Sequence, residues 1–390
     1  MPILIKKRER FLEEKKIKEL AAINLCVGIG AAMVTTIWAI YINSFLHNEA
    51  YTGLVSGALT IISFIAYFLF IPLIEKSNKG KLFAYSLFLT AIVYSLFAFI
   101  NSFSLFLILA IVLTLLLVIR VSIFGVILKD STKQTSIVKN EGFIYTLLNI
   151  GWLVGPLIAG YTAAKFGIPK VFLLGAIFIL IGFFVFKLTE IKDSHIQKKT
   201  DHEVIKNFKE FFKDSNRTNA YIIRGGITFW WGLIYLFAPL YIIKQGLTEI
   251  AVGYFMFAVV IPLILFEYKF SALTEKYSFK KIFKIGFLIT AAFGITAFFF
   301  SNIYLILSSL VLASIGLAML EPTSEAYFLT ITNRKEVCRF FGPFNTSSEI
   351  FALVGRIIPS LFLLILPFKY VFLVFGLAMF FFALFSNRIK

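Results

Sequence analysis

Leu73-Ile74-Glu75-Lys76 runs on to Lys81-Leu82-Phe83, and the chain repeats the pattern at Leu273-Thr274-Glu275-Lys276 and Lys281-Ile282-Phe283. The separation is 200 residues in a chain of 390. The same offset carries Gly142 to Gly342, and Leu153-Val154-Gly155 to Leu353-Val354-Gly355. Each charged tetrad closes one apolar segment and precedes another. A chain that echoes itself at half its length reads as a duplicated bundle.

Composition sets the solvent of that bundle. Hydrophobic residues make up 59% and charged residues 15%, against about a quarter charged in a soluble domain. The 48 phenylalanines fit a lipid-facing surface and carry no functional assignment. A spanning helix needs about 20 apolar residues. Twelve segments qualify: 20–46, 51–74, 82–101, 103–128, 140–164, 169–189, 219–243, 247–268, 282–301, 303–326, 339–364 and 367–387. Asn101-Ser102 and Ser301-Asn302 are short polar turns, again 200 residues apart. A closed barrel is the other way to span a bilayer, but its strands alternate apolar and polar residues, and these runs are continuous. The expected fold is an all-α membrane protein, with twelve transmembrane helices in two pseudo-symmetric six-helix halves.

Basic residues predict the orientation. Arg120, Arg224 and Arg356 lie inside spans, and Lys165, Lys170, Lys244 and Lys369 lie on one side. The other 31 of 38 Lys and Arg fall in the termini and the even-numbered loops. The positive-inside rule then puts both termini in the cytoplasm, as expected for a multi-pass protein of the cytoplasmic (plasma) membrane. The net charge of +17 belongs to this bias and to anionic lipid. No compact basic domain exists for nucleic acid. The charged first twenty residues lack the apolar core of a signal peptide. Cys26 and Cys338 both fall near a reducing compartment, so a disulfide is not expected. With three His and two Cys, neither a metal site nor a Cys/His catalytic pair is visible, and no cofactor is expected.

Residues 190–218 form the one long polar stretch and separate an N-terminal half, 1–189, from a C-terminal half, 219–390. Thr200-Asp201-His202-Glu203 has capping-box spacing. Val204, Ile205, Phe208, Phe211 and Phe212 then follow at helical spacing, with Lys206, Lys209 and Lys213 off the stripe. This predicts an amphipathic linker helix on the membrane face or covered by the bundle. Residues 8–20 repeat the pattern more weakly, through Phe11, Leu12, Ile17 and Leu20.

Over essentially its whole length the chain resembles the major facilitator superfamily. The loop after span two looks like a degenerate form of that family's Gly-x-x-x-Asp-Arg-x-Gly-Arg-Arg signature. Glu75 stands at the acid, followed by Lys76, Lys79 and Lys81, while Ile71 and Asn78 replace the glycines. The second copy has Glu275, Lys276, Lys280 and Lys281. The resemblance implies that these residues pair charges at helix ends and bias a gate. In span five, Gly142, Gly151, Gly155, Pro156 and Gly160 have the spacing of the family's glycine-proline motif, with Ala159 replacing one glycine. Small residues let helices approach and Pro bends them. The motif is associated with antiporters, especially drug–proton exchangers. Such antiporters often carry an early Arg in span four and an acid in span one. Here those positions hold Ala110 and, in span one, Asn24 and Asn43 with no acid.

Ionisable groups inside a bilayer are functional candidates by default. Arg120 in span four and Glu321 in span ten sit at matching depth, and Glu325 follows Glu321 by one turn. Spans one, four, seven and ten line the cavity in the family, so Arg120, Glu321 and Glu325 are the expected substrate or proton site, with Trp230 and Tyr235 of span seven as aromatic wall. A structural ion pair is the competing reading. Glu349 and Arg356 in span eleven suit structural pairing with neighbouring helices. Glu267 is expected to snorkel to the surface beside Lys269, and Trp38 and Tyr41 to anchor at the interface. The expected function is a secondary active transporter, not an enzyme, moving a small organic solute by alternating access, with proton-coupled efflux the leading form. A sugar or metabolite importer or uniporter is the alternative, and a non-transporting receptor or scaffold another. The expected partners are the solute, protons and the lipid bilayer, with the chain as a monomer.

Overall fold

Lipid offers no hydrogen bonds to a backbone, so continuous apolar runs close their own N–H and C=O groups as helices. A computed structural model describes residues 2–132, 137–189, 204–273 and 276–389. Among them there is helix and no strand. The first six helices are α1 (Pro2–Leu46), α2 (Glu49–Lys76), α3 (Lys79–Phe97), α4 (Phe103–Ser131), α5 (Ile137–Phe166) and α6 (Ile168–Leu188). The linker helix α7 (Val204–Lys213) follows, then α8 (Ser215–Gly232), a π-helical turn at Leu233–Phe237, and α9 (Ala238–Lys244). The last five are α10 (Glu249–Leu273), α11 (Phe279–Phe299), α12 (Ile303–Ile331), α13 (Arg334–Leu363) and α14 (Tyr370–Phe385).

Twelve segments of the described residues are long and apolar enough to cross a membrane, the run from Ser215 to Lys244 forming the seventh. The chain is an all-α multi-pass membrane protein with the expected twelve spans in two six-helix halves. Span one starts earlier than its apolar run, at Glu14, because α1 continues unbroken from residues 8–20. Short polar residues set the ends. The Asn78 side chain accepts from Lys81 N at 2.7 Å at the start of α3, and Asn302 accepts from Tyr304 N at 2.8 Å at the start of α12.

The contacts gather into two compact units, one of residues 1–41 with 65–200, the other of residues 42–64 with 201–390. In the first, α5 crosses α1 at small residues. A Cβ at Gly151 would stand 2.9 Å from the Ile29 nitrogen, and one at Gly155 would stand 2.7 Å from the Ala32 Cβ. Tyr41 is 5% exposed and donates to the Phe97 carbonyl at 2.7 Å. Its ring meets Phe172 at 4.6 Å, and Trp38 lies edge-on to Phe97 at 5.4 Å. Trp38 and Tyr41 are therefore part of the packing and not the expected interface anchors. A backbone carbonyl at a helix end has taken the hydroxyl that a headgroup would otherwise bind.

The second unit repeats these contacts. α8 crosses α13 where a Cβ at Gly355 would stand 3.0 Å from the Phe229 carbonyl, and one at Gly232 would stand 3.2 Å from that of Gly355. Tyr241 meets Phe372 at 5.0 Å. Residues 29, 32, 155, 41 and 172 thus reappear as 229, 232, 355, 241 and 372.

Two further elements belong to the second unit. The first half of α2 lies on α13, with Gly53 facing Ser360 and Gly57 facing Ile357. Arg356 donates to the Thr60 hydroxyl and, at 3.4 Å, to the Ser56 carbonyl, while Glu349 is hydrogen-bonded by Ser63. The two span-eleven charges thus reach the same neighbouring helix. Nearby, Lys244 pairs with Glu49 at 2.8 Å. The linker helix α7 is covered by the bundle. Its Phe211 is fully buried among Tyr221, Phe328 and Phe340. Arg339 pairs with Glu210 and donates to Asn207 Oδ1 at 2.5 Å. The capping-box residues 200–203 lie outside the described residues.

Candidate functional site

Span seven is mostly buried, yet it carries one accessible stripe. Tyr221, Arg224, Thr228, Trp231 and Tyr235, with the neighbours Ile222 and Gly232, are the partly exposed positions between 221 and 235. Their three- and four-residue spacing is one helix face. From Leu236 to Ile242 every residue is buried. The stripe stops where the helix changes. Ala238 N–H bonds to the Leu233 carbonyl, a π-type closure. Pro239 follows, and its missing N–H leaves no α-type bond for the Tyr235 carbonyl. At this turn the rings of Trp231 and Tyr235 stack, with centroids 5.0 Å apart and planes at 19°. Such π-turns recur at functional positions.

α12 faces this stripe with a carboxylate. Glu321 Oε1 accepts from Trp231 Nε1 at 2.5 Å. Pro322 is the next residue and removes one backbone donor from the helix. Thr323 turns its hydroxyl onto the Met319 carbonyl at 2.5 Å, and Ser324 onto that of Glu321 at 3.0 Å. Glu321 is partly exposed, and Glu325, one turn on, is exposed. Two further charges act electrostatically on Glu321: Arg224 of α8 and Glu267 of α10. Glu267 thus belongs to this cluster, contrary to the expectation that it joins Lys269 at the surface. α10 packs along α12, and this brings its carboxylate toward Glu321. The Arg224 guanidinium lies over Phe344 at 5.3 Å, and its Nε is buried with no hydrogen-bond partner among the described residues.

The other expected residues distribute as follows. Arg120 sits in the first unit, 8% exposed, beside Tyr94 of α3. Its Nη1 is buried and without a hydrogen-bond partner among the described residues. Trp230 points away from Glu321. It is fully buried, edge-on to Phe375 at 6.3 Å. Of the gating-loop residues, Lys79 is buried at 5% exposure, and Lys81, Lys276, Lys280 and Lys281 are exposed. Lys281 lies over the Tyr277 ring at 4.5 Å. Glu275 and the side chains of Glu75 and Lys76 lie outside the described residues. In the span-five motif, Gly151 and Gly155 make the α1 crossing, Pro156 lies inside α5, and Gly160 is buried. The surroundings of Gly142 are outside the described residues.

Sequence reasoning passed over Trp231, Arg224 and Glu267 as site residues. The available signal was the i, i+4 pair Trp231–Tyr235 with Pro239 one turn further. The described residues contain no group of three or more His, Cys, Asp or Glu that could hold a metal. The arrangement offers a hydrogen-bonded carboxylate, a second carboxylate, one cation and an aromatic face, all on an accessible helix stripe. That set can bind a charged solute or exchange a proton.

The model of the Major Facilitator Superfamily matches residues 20–266 and again 231–387. An uncharacterized MFS-type transporter of Methanocaldococcus jannaschii is 24% identical over 338 residues, covering 84% of this chain and 86% of that protein. A solved POT family transporter in complex with 5-aminolevulinic acid superposes with TM-score 0.79 at 13% identity, covering 96% of this chain and 97% of that one. The nucleoside transporter NupG does so with TM-score 0.76 at 13% identity, covering 96% and 98%. At this identity the likeness to the solved structures is one of fold.

Proposed function

The chain belongs to the Major Facilitator Superfamily and is a membrane transporter, and from that premise we propose that it carries a small organic solute by alternating access, in exchange for protons at Glu321. The observation that carries this reading is the Trp231–Glu321 hydrogen bond on an accessible stripe of an otherwise buried helix. Intramembrane carboxylates are costly and mark ion and substrate paths. Glu321 has an indole donor, a nearby cation and a second carboxylate, so its proton and its pairing can change together during a cycle. Arg120, buried in the first unit with an unpartnered Nη1, is proposed as a second determinant of binding or coupling.

Orientation follows from the Lys and Arg distribution, with both termini cytoplasmic in the plasma membrane. Outward transport is supported by the glycine-proline motif of span five, whose Gly151 and Gly155 hold α5 against α1. The test is transport by purified protein in liposomes, across a solute panel, with and without a pH gradient. Transport that accelerates with the gradient, and a Glu321→Gln variant that loses this acceleration while still exchanging solute, are the expected results. Full pH-driven transport by Glu321→Gln would remove Glu321 from coupling.

A further inference from the structure

We infer that the cargo is an organic cation, held by Glu321 and Glu267 against the stacked rings of Trp231 and Tyr235, with Arg224 as the resident counter-ion it displaces. This rests on the reading of the chain as a solute transporter and specifies the charge of what it carries.

The first ground is charge. Glu321 and Glu267 supply two carboxylates and Arg224 one guanidinium, so the cluster has room for one more positive charge. An anionic cargo would meet Arg224 only in the company of two carboxylates. Attraction and repulsion at such range are strong where water is scarce.

The second ground is the aromatic face. Two rings stacked at 5.0 Å present one broad π surface, and a cation over such a face is attracted by the ring quadrupole. Trp231 does two things at once. Its Nε1 fixes the Glu321 carboxylate, and its ring lies beside that charge. Carboxylate and π-face therefore converge, the combination that recognises ammonium-like groups.

The third ground is Arg224 itself. Its Nε is buried without a hydrogen-bond partner among the described residues, and its guanidinium rests over Phe344 at 5.3 Å. A cation anchored by a full set of hydrogen bonds would be hard to displace, whereas this one leaves a donor unmet. A neutral polyol would instead need many neutral donors and acceptors. Between Tyr221 and Tyr235, Thr228 is the one small hydroxyl on the stripe, and it donates to the Arg224 carbonyl at 3.4 Å.

The test is equilibrium binding to the purified full-length protein in detergent, read by tryptophan fluorescence. The probes are tetraphenylphosphonium and tetraphenylborate, alike in shape and opposite in charge, together with phenyltrimethylammonium and choline. Saturable binding of at least one cation is expected, with tetraphenylborate at least tenfold weaker than tetraphenylphosphonium. Glu267→Gln and Glu321→Gln should each weaken cation binding at least tenfold, and Glu267→Asp should recover part of the loss. Arg224→Ala should tighten it severalfold, an outcome that a purely structural arginine does not produce. Variants are compared only when they elute as single species and unfold within a few degrees of the parent. Tighter binding of the borate, no saturable binding of any cation, or unchanged binding in both Gln variants would each overturn the inference. Cation binding without movement in liposomes would instead sink the transport reading and leave the site standing. Transport of a neutral or anionic solute without cation binding would sink the inference alone.

Discussion

Glu321 shows what a single residue needs to keep a charge inside a membrane. A carboxylate out of water requires charge-assisted hydrogen bonds, and an indole N–H at 2.5 Å is one of the stronger donors available to it. Trp231→Phe keeps the ring and deletes the donor. Leaving the acceptor short should cost about 1–2 kcal/mol of stability, a drop of a few degrees in thermal unfolding. Proton-coupled transport should fall at least tenfold. Parental coupling in Trp231→Phe would show that Glu321 does not depend on this bond. Glu321 was legible in the sequence because a carboxylate interrupts an apolar run. Glu267 was not, since Lys269 two residues on supplied a sufficient local explanation. The choice between Trp230 and Trp231 was out of reach for a different reason. With few polar residues the run does not define its own helical phase, and the π-turn shifts that phase within two residues.

Helix crossings decide how closely the elements approach, and small residues decide the crossings. A methyl at Gly155 would stand 2.7 Å from the Ala32 Cβ and 3.0 Å from the Ile29 carbonyl, whereas Gly342 has nothing within 4 Å. Gly155→Ala should therefore destabilise by about 1–3 kcal/mol through overpacking. Gly342→Ala should be neutral or stabilise by up to about 1 kcal/mol, the helix propensity difference. Thermal or denaturant unfolding in detergent compares the two, and equal effects would show that the crossing yields. The α2–α13 seam makes a second, separable claim. Arg356→Met removes the donor to Thr60 and Ser56 and the charge beside Glu349. It should cost about 1–2 kcal/mol, the scale of polar contacts between membrane helices. Adding Glu349→Gln should cost less than the sum of the singles, because the uncompensated carboxylate is then gone. Strict additivity would mean that the two charges do not interact. The sequence showed Gly155 as a packing residue through its repeat at Gly355. It gave no hint of the seam, because Ser56, Thr60 and Ser63 are unremarkable until Arg356 faces them.

The whole molecule was the most legible level, because bilayer thickness imposes one length on every span and the polar turns punctuate them. Twelve apolar runs became twelve spans with ends shifted by a few residues. The gathering of residues 42–64 with 201–390 was invisible, since it depends on contacts between segments about 300 residues apart. Orientation is testable at this scale. Lys206→Cys and Lys244→Cys should be labelled from opposite sides of the membrane by an impermeant thiol reagent, the first from the cytoplasm. Labelling of both from one side would break the twelve-span topology.

The paired crossings also record descent. Ile29 and Ala32 against Gly155 recur as Phe229 and Gly232 against Gly355, so the ancestral half survives in this chain as a steric skeleton. Its chemistry did not survive in duplicate. Two hundred residues before Glu321, Glu267, Arg224, Trp231 and Tyr235 stand Val121, Tyr67, Asn24, Ala31 and Thr35, and Arg120 answers to Leu320. The two copies share their scaffolding and have parted in every charge that the membrane makes expensive. A tandem built from two first halves would inherit the crossings without these carboxylates, so the acidic cluster is a possession of the second lineage alone.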